Sequence, residues 1–147
     1  MSGTATGSDG SGLRQQRCVP APEEIVRLER GVGRPGGPAV VVLDQRRLPG
    51  ERVELVCRSA AEVADAIRTL AVRGAPAIGV AAAYGMALAA ERGDDILAAR
   101  AVLAASRPTA VNLFWALAQM DAWEGDPAER ALRIHEEEVE RCEAMAE

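Results

Sequence analysis

At 147 residues, 48% apolar and 27% charged, the chain has room for one folded unit with a modest core and is globular in class rather than disordered. A net charge of −5 with basic residues scattered among acids, and only 3% aromatics, exclude the charged, stacking surface that nucleic-acid binding needs. Cys18, Cys57 and Cys142 form an odd set with no paired motif spacing, which points to free thiols in a reducing, cytoplasmic setting.

Residues 1–17 are rich in Gly, Ser and Thr, then polar, and predict a disordered tail. The opening "MSGTATGSDGSG" holds no apolar core of a secretory signal. Three β-prone segments follow, "EEIVRLE" (23–29), "AVVVLD" (39–44) and "RVELVC" (52–57), joined by the breakers of "RGVGRPGGP" and the Pro-Gly turn of "QRRLPGE". Short links between strands predict an antiparallel meander, although the faces alternate poorly.

From Ser59 the chain reads as helical. Ser59 with Glu62 forms a capping box, and Val63, Ala66, Ile67 and Leu70 make an apolar stripe on a helix ending near Val72. Pro76 suits the first turn of a second helix that Gly93 closes, and Asp94 opens a third running to about Ala105. Thr109 is placed to cap a fourth helix, "AVNLFWALAQMDAW", whose few polar positions predict burial on nearly all sides. Asp126, Pro127 and Glu129 open a fifth, with Ala128, Ala131, Leu132, His135, Val139, Cys142 and Ala146 on one apolar face. That pattern reaches Glu147 with no stop signal, so the protein is expected to continue beyond it. The predicted class is α+β and mainly helical: a small three-stranded antiparallel sheet followed by about five helices. Residues 18–126 form the sheet-plus-helical domain and 127–147 a linking helix.

The run 75–90 carries no charge, and eight of its sixteen residues are alanine and two glycine. It is shorter than the roughly 18–20 apolar residues of a membrane span and reads as a buried helix packed closely through small side chains. Arg73-Gly74-Ala75-Pro76 stands at its start, where the first amides lack intrahelical partners and carry the positive end of the dipole. Gly74 and Ala75 would let an anion approach the backbone, and Arg73 would add a planar fork for two phosphate oxygens. Arg107-Pro108-Thr109 repeats the arrangement at another helix start, so Arg73 and Arg107 could clamp one phosphate. The alternative is that each is a solvated arginine or pairs with a neighbouring acid. No P-loop, dinucleotide fingerprint or metal-ligand cluster occurs, which removes nucleotide hydrolases, Rossmann dehydrogenases and zinc enzymes from the leading classes.

The blocks "LDQRRLPG" (43–50), "AIRTLAVRGAPAIGVAAAYGMALA" (66–89) and "SRPTAVNLFWAL" (106–117) resemble the N-terminal part of the methylthioribose-1-phosphate isomerases. Their family also contains the alpha, beta and delta regulatory subunits of translation initiation factor 2B. "RIHEEEVER" (133–141) fits the linking helix of that family. The resemblance implies an enzyme of methionine salvage that converts 5-methylthioribose 1-phosphate to methylthioribulose 1-phosphate without metal or nucleotide cofactor. It implies a homodimer of two-domain subunits, with a Rossmann-like second domain absent from this chain. It implies that Arg73, Gly74, Ala75 and Arg107 contact the substrate. The catalytic cysteine of the family, in a Thr-His-Cys-Asn block, and its acid/base aspartate have no counterpart here, so no catalytic residue is assigned and the chain alone is expected to be inactive. The "GVGRPGGP" insertion after the first strand is also longer than the family usually shows. Two other readings stay open: a ribose-1,5-bisphosphate isomerase, and a non-catalytic module that senses a sugar phosphate or dimerises.

The remaining residues read more plainly. His135 suits a structural contact at a domain or subunit boundary, and Cys142 on the linking helix cannot replace the missing cysteine. Cys57 suits a small buried hydrophobe. Asn112 suits a bond to backbone or loop, with ligand contact as the alternative. Trp115 and Trp123 suit core or interface, and Glu136–Glu138 a solvated face.

Overall fold

The computed structural model describes residues 25–31, 36–72 and 74–146, with side chains to residue 141. The expectations for the tail 1–17, Cys18, Arg73, part of the insertion and the Cys142 side chain lie outside these. Strands β1 (Val26–Glu29), β2 (Ala39–Leu43) and β3 (Glu54–Cys57) pair antiparallel in the order β1-β2-β3. The register sets Val26 against Val42, Val40 against Cys57, and Val41 between Arg27 and Val56.

All five residues of β2 are buried, which is why its sequence does not alternate. Val40 and Val42 face the helices. Val41 faces outward, where Arg27 of β1 reaches Glu54 of β3, Nη1 to Oε2 at 2.8 Å, and also bonds Glu29 at 2.9 Å. The two carboxylates hold the Arg27 guanidinium well above its ordinary pKa, Glu54 most strongly.

Helix α1 (Ala60–Arg68) begins as its sequence predicts: Ser59 Oγ accepts from the Glu62 amide at 3.2 Å. It ends earlier than the apolar stripe suggests. Val63, Ala66 and Ile67 are buried, but Leu70 lies beyond the helix with φ +69° and is 44% exposed. Helix α2 (Ala75–Arg92) is buried continuously from Ile78 to Ala89 and packs against α1, against β1 and β2, and against all three helices that follow it. Those are α3 (Ile96–Ser106), α4 (Val111–Asp121) and α5 (Pro127–Ala146). Small residues make this central position possible. A Cβ on Gly79 would stand 3.0 Å from the Asn112 carbonyl oxygen of α4.

Five local readings are corrected. Asp95, not Asp94, caps α3, its Oδ1 accepting from the Leu97 and Ala98 amides at 3.0 and 3.3 Å. Ala110, not Thr109, is the N-cap of α4 and offers no side-chain bond. That helix is not enclosed all round. Leu113, Ala116, Leu117 and Met120 are buried, whereas Val111 is 78% exposed, because α4 lies mainly against α2 and only one stripe meets it. On α5 the inward stripe is Ala128, Ala131, Ile134, His135 and Glu138, while Leu132 is half exposed. Glu138 is therefore not on the solvated face. Its Oε1 accepts from Arg141 Nη1 at 2.8 Å, which satisfies the carboxylate where it turns inward.

Candidate anion-binding site

The corner between α1 and α2 is closed by backbone bonds. Thr69 N donates to Asp65 O at 3.0 Å, Leu70 N to Ile67 O at 3.2 Å and Val72 N to Ala66 O at 3.3 Å. Ala71 O accepts from Gln45 N at 2.9 Å, which ties the corner to a 3₁₀ turn (Gln45–Arg47) following β2. Asp44 caps that turn. Its carboxylate, 2% exposed, accepts from Arg46 N at 3.0 Å and from Arg46 Nε and Nη2 at 2.9 Å each. The Arg46 guanidinium holds the Asp44 carboxyl below the usual carboxylate range against the opposing effect of burial. Asp44 thus supports the corner from behind, a role visible in the sequence only as an acid ahead of two arginines.

At the corner itself Gly74 takes φ +91° and ψ 134° as the N-cap of α2, with no side-chain bond. A Cβ there would meet nothing within 4 Å, so the backbone conformation, not crowding within the protein, calls for glycine. Pro76 lacks an amide, leaving the Ala75 and Ala77 amides as first-turn donors without a capping acceptor. Helix α4 starts in the same way: Ala110 N donates to Arg107 O at 3.0 Å, and no side chain caps the turn that follows.

Helix α3 turns the chain back between them, and the two uncapped starts open into one cavity of about 430 Å³. Gly74, Ala75 and Ile78 of α2 face it from one side, and Arg107, Ala110, Val111 and Asn112 from the other. Leu70 completes the lining, which holds no acidic residue among those described. Two helix N-termini and a guanidinium-bearing loop without an acid suit an oxyanion such as phosphate.

Gly74, Ala75 and Arg107, chosen from spacing and resemblance, therefore stand together. Asn112 joins them. Leu70, Ile78 and Val111 were not read as site residues, because nothing in an apolar side chain says that a fold will leave it at a cavity mouth.

Elsewhere, His135 is buried on α5 and its Nδ1 lies 2.7 Å from the Tyr84 hydroxyl of α2, a contact between two packed helices away from the cavity. Burial raises the Tyr84 hydroxyl well above its ordinary pKa. Burial likewise pushes the Cys57 thiol up to about 11, the state of an inert small hydrophobe. Trp115 packs partly buried against the core, and the Trp123 Nε1 donates to Asp126 O at 3.1 Å. Among the described residues, no three His, Cys, Asp or Glu side chains gather as a metal site, and no helix is long and apolar enough to cross a membrane.

Fold and cavity together define the class: an α+β domain, mainly helical, with an oxyanion-suited pocket between two helix starts. The sequence profile of the initiation factor 2 subunit family matches residues 71–147, and the chain belongs to that family. It is 54% identical over 105 residues to the methylthioribose-1-phosphate isomerase of Thermus thermophilus, a match covering 70% of this chain and 32% of that protein. The crystal structure of 5-methylthioribose 1-phosphate isomerase from Pyrococcus horikoshii OT3 is similar with a TM-score of 0.57 and 32% identity, over 86% of this chain and 39% of that one. Translation initiation factor eIF-2B, subunit delta, from A. fulgidus gives a TM-score of 0.56 and 37% identity, over 79% of this chain and 36% of that one. The chain spans about a third of the length of the curated relatives it matches.

Proposed function

We propose that this chain is the N-terminal part of an aldose–ketose isomerase that converts 5-methylthioribose 1-phosphate to 5-methylthioribulose 1-phosphate. The observation that carries the reading is the shared cavity of the two uncapped helix starts, with Arg107 at its edge. The phosphate is held by the free amides of α2 and α4 and by Arg107, with Arg73 as the second guanidinium. Residues 18–126 serve as the domain that grips the phosphate, and 127–147 lead toward a second, Rossmann-like domain.

Isomerisation moves a proton between adjacent carbons, so it needs an acid/base group beside them. In this reading that group comes from the second domain, and this chain alone is an inactive half-site. Cytoplasmic location, a homodimer when full length, and action without metal or nucleotide cofactor belong to the same reading. A second reading, a non-catalytic sugar-phosphate-sensing module, is favoured by the likeness to the subunit delta structure.

Calorimetric titration of the purified chain with 5-methylthioribose 1-phosphate, beside a turnover assay, tests the proposal. Binding without turnover is the expected result. Turnover at the rate of a full-length relative overturns the half-site, and absence of binding overturns the phosphate site. Reading the gene beyond codon 147 separates enzyme from module: a Thr-His-Cys-Asn-like block and a later Asp support the enzyme, and their absence supports the module.

A further inference from the structure

One residue at the cavity takes a backbone conformation that leucine does not favour. Leu70 occupies the position after the C-terminus of α1 with φ +69°, where glycine or asparagine is the favoured choice and the Cβ of leucine crowds the following carbonyl. The backbone bonds on either side, Leu70 N to Ile67 O and Val72 N to Ala66 O, hold that geometry whatever the side chain. Leu70 is 44% exposed and is among the residues that line the anion cavity. With Ile78 and Val111 it makes one wall of that cavity apolar, while the donors are at the two helix starts.

We infer that Leu70 is a positioning residue, the apolar shoulder against which the carbon body of a phosphorylated small molecule rests while its phosphate occupies the helix starts. The inference rests on the phosphate-site reading above and adds to it the group that separates an organophosphate from the bare anion. A residue held in an unfavourable backbone conformation beside a cavity is expected to act on the ligand rather than on the fold.

The test sets stability against binding. Leu70→Gly removes the strain and the side chain together, so the melting temperature of the chain rises by about 3 °C. Its affinity for 5-methylthioribose 1-phosphate falls by about 10-fold, at the low end of the range for an apolar group withdrawn from a pocket. Its affinity for inorganic phosphate stays as in the wild type. Leu70→Met, which keeps an apolar chain of similar volume, retains the sugar-phosphate affinity. A purely structural role is shown, and the inference overturned, if Leu70→Gly binds both probes as the wild type does, or weakens both alike. Arg107→Ala in the same series separates the two claims. If it leaves phosphate binding intact, the site reading itself fails. If it weakens both probes while Leu70→Gly weakens neither, only the role of Leu70 fails.

Discussion

Helices α1, α3 and α5 differ from α2 and α4 in how they begin. The first three start at Ser59, Asp95 and Asp126, whose side-chain oxygens each accept a first-turn amide. The other two start at Gly74 and Ala110, which offer no acceptor. A capping side chain contributes about 1 kcal/mol relative to alanine and a few tenths relative to glycine, so leaving it out at Ala110 and Gly74 is a cost in stability that falls mainly on α4. Both omissions face the same cavity. Where α1, α3 and α5 begin, a side-chain oxygen fills the acceptor position; where α2 and α4 begin, the backbone stays bare.

The largest effect that sharpens this contrast is expected at Arg107. Arg107→Ala removes a charge-assisted contact of about 1.5–3 kcal/mol, roughly 10- to 150-fold in affinity for 5-methylthioribose 1-phosphate. Arg107→Lys restores part of it, since a point charge lacks the bidentate fork. If Arg73 shares the phosphate, the double variant departs from the sum of the two single losses. Simple additivity, measured by calorimetry, would separate the arginines.

Next comes the seam that holds the two bare starts side by side. Gly79→Val sets side-chain atoms against the Asn112 carbonyl and should destabilise the fold by about 1–3 kcal/mol, read from denaturant midpoints. Phosphate affinity should fall as well, because α4 moves relative to α2. Loss of stability with unchanged phosphate affinity would show that the spacing of the two starts does not matter.

Exchanging the two kinds of helix start is a smaller and more direct test. Ala110 is extended, at φ −84° and ψ 105°, which a capping residue adopts without strain. Ala110→Asp should therefore stabilise the chain by about 1 kcal/mol while weakening phosphate binding, because its carboxylate takes the anion's place. Asp95→Ala should cost about the same stability and leave binding alone. Equal effects of both on binding would break the contrast.

The smallest expected effect concerns pH. The folded Asp44 carboxyl titrates below its unfolded value, so its stabilisation is complete above an unfolded pKa of about 3.9 and is lost as pH falls through the folded pKa. The stability advantage of wild type over Asp44→Asn should be present at neutral pH and shrink below about pH 4. An advantage that persists in acid would show that the Asp44 hydrogen bonds act without its charge.

Much of this chain is determined by its sequence alone, where a residue acts on its own neighbours. The three strands and their meander, the Ser59 and Asp126 caps and the start of α2 after Gly74 are legible because turns, caps and periodicity depend on bonds spanning a few residues. Gly74, Ala75 and Arg107 are legible as candidates for the same reason, since a helix start is a local feature.

Tertiary structure decided the rest. Arg107 shares a cavity with Gly74 only because α3 turns the chain back and Gly79 lets α4 approach α2. Val41 is buried because Arg27 spans the sheet, Glu138 faces inward because the stripe of α5 is set by its contact with α2, and Val111 is exposed because α4 meets its neighbours on one side. Leu70 fits the apolar period of α1 but falls beyond its last turn, at the mouth of a cavity that exists only once two distant helix starts are assembled. Periodicity records that a residue is apolar and on which face it repeats. Which faces are covered, and which remain open beside a ligand, is settled by packing between segments far apart in the chain.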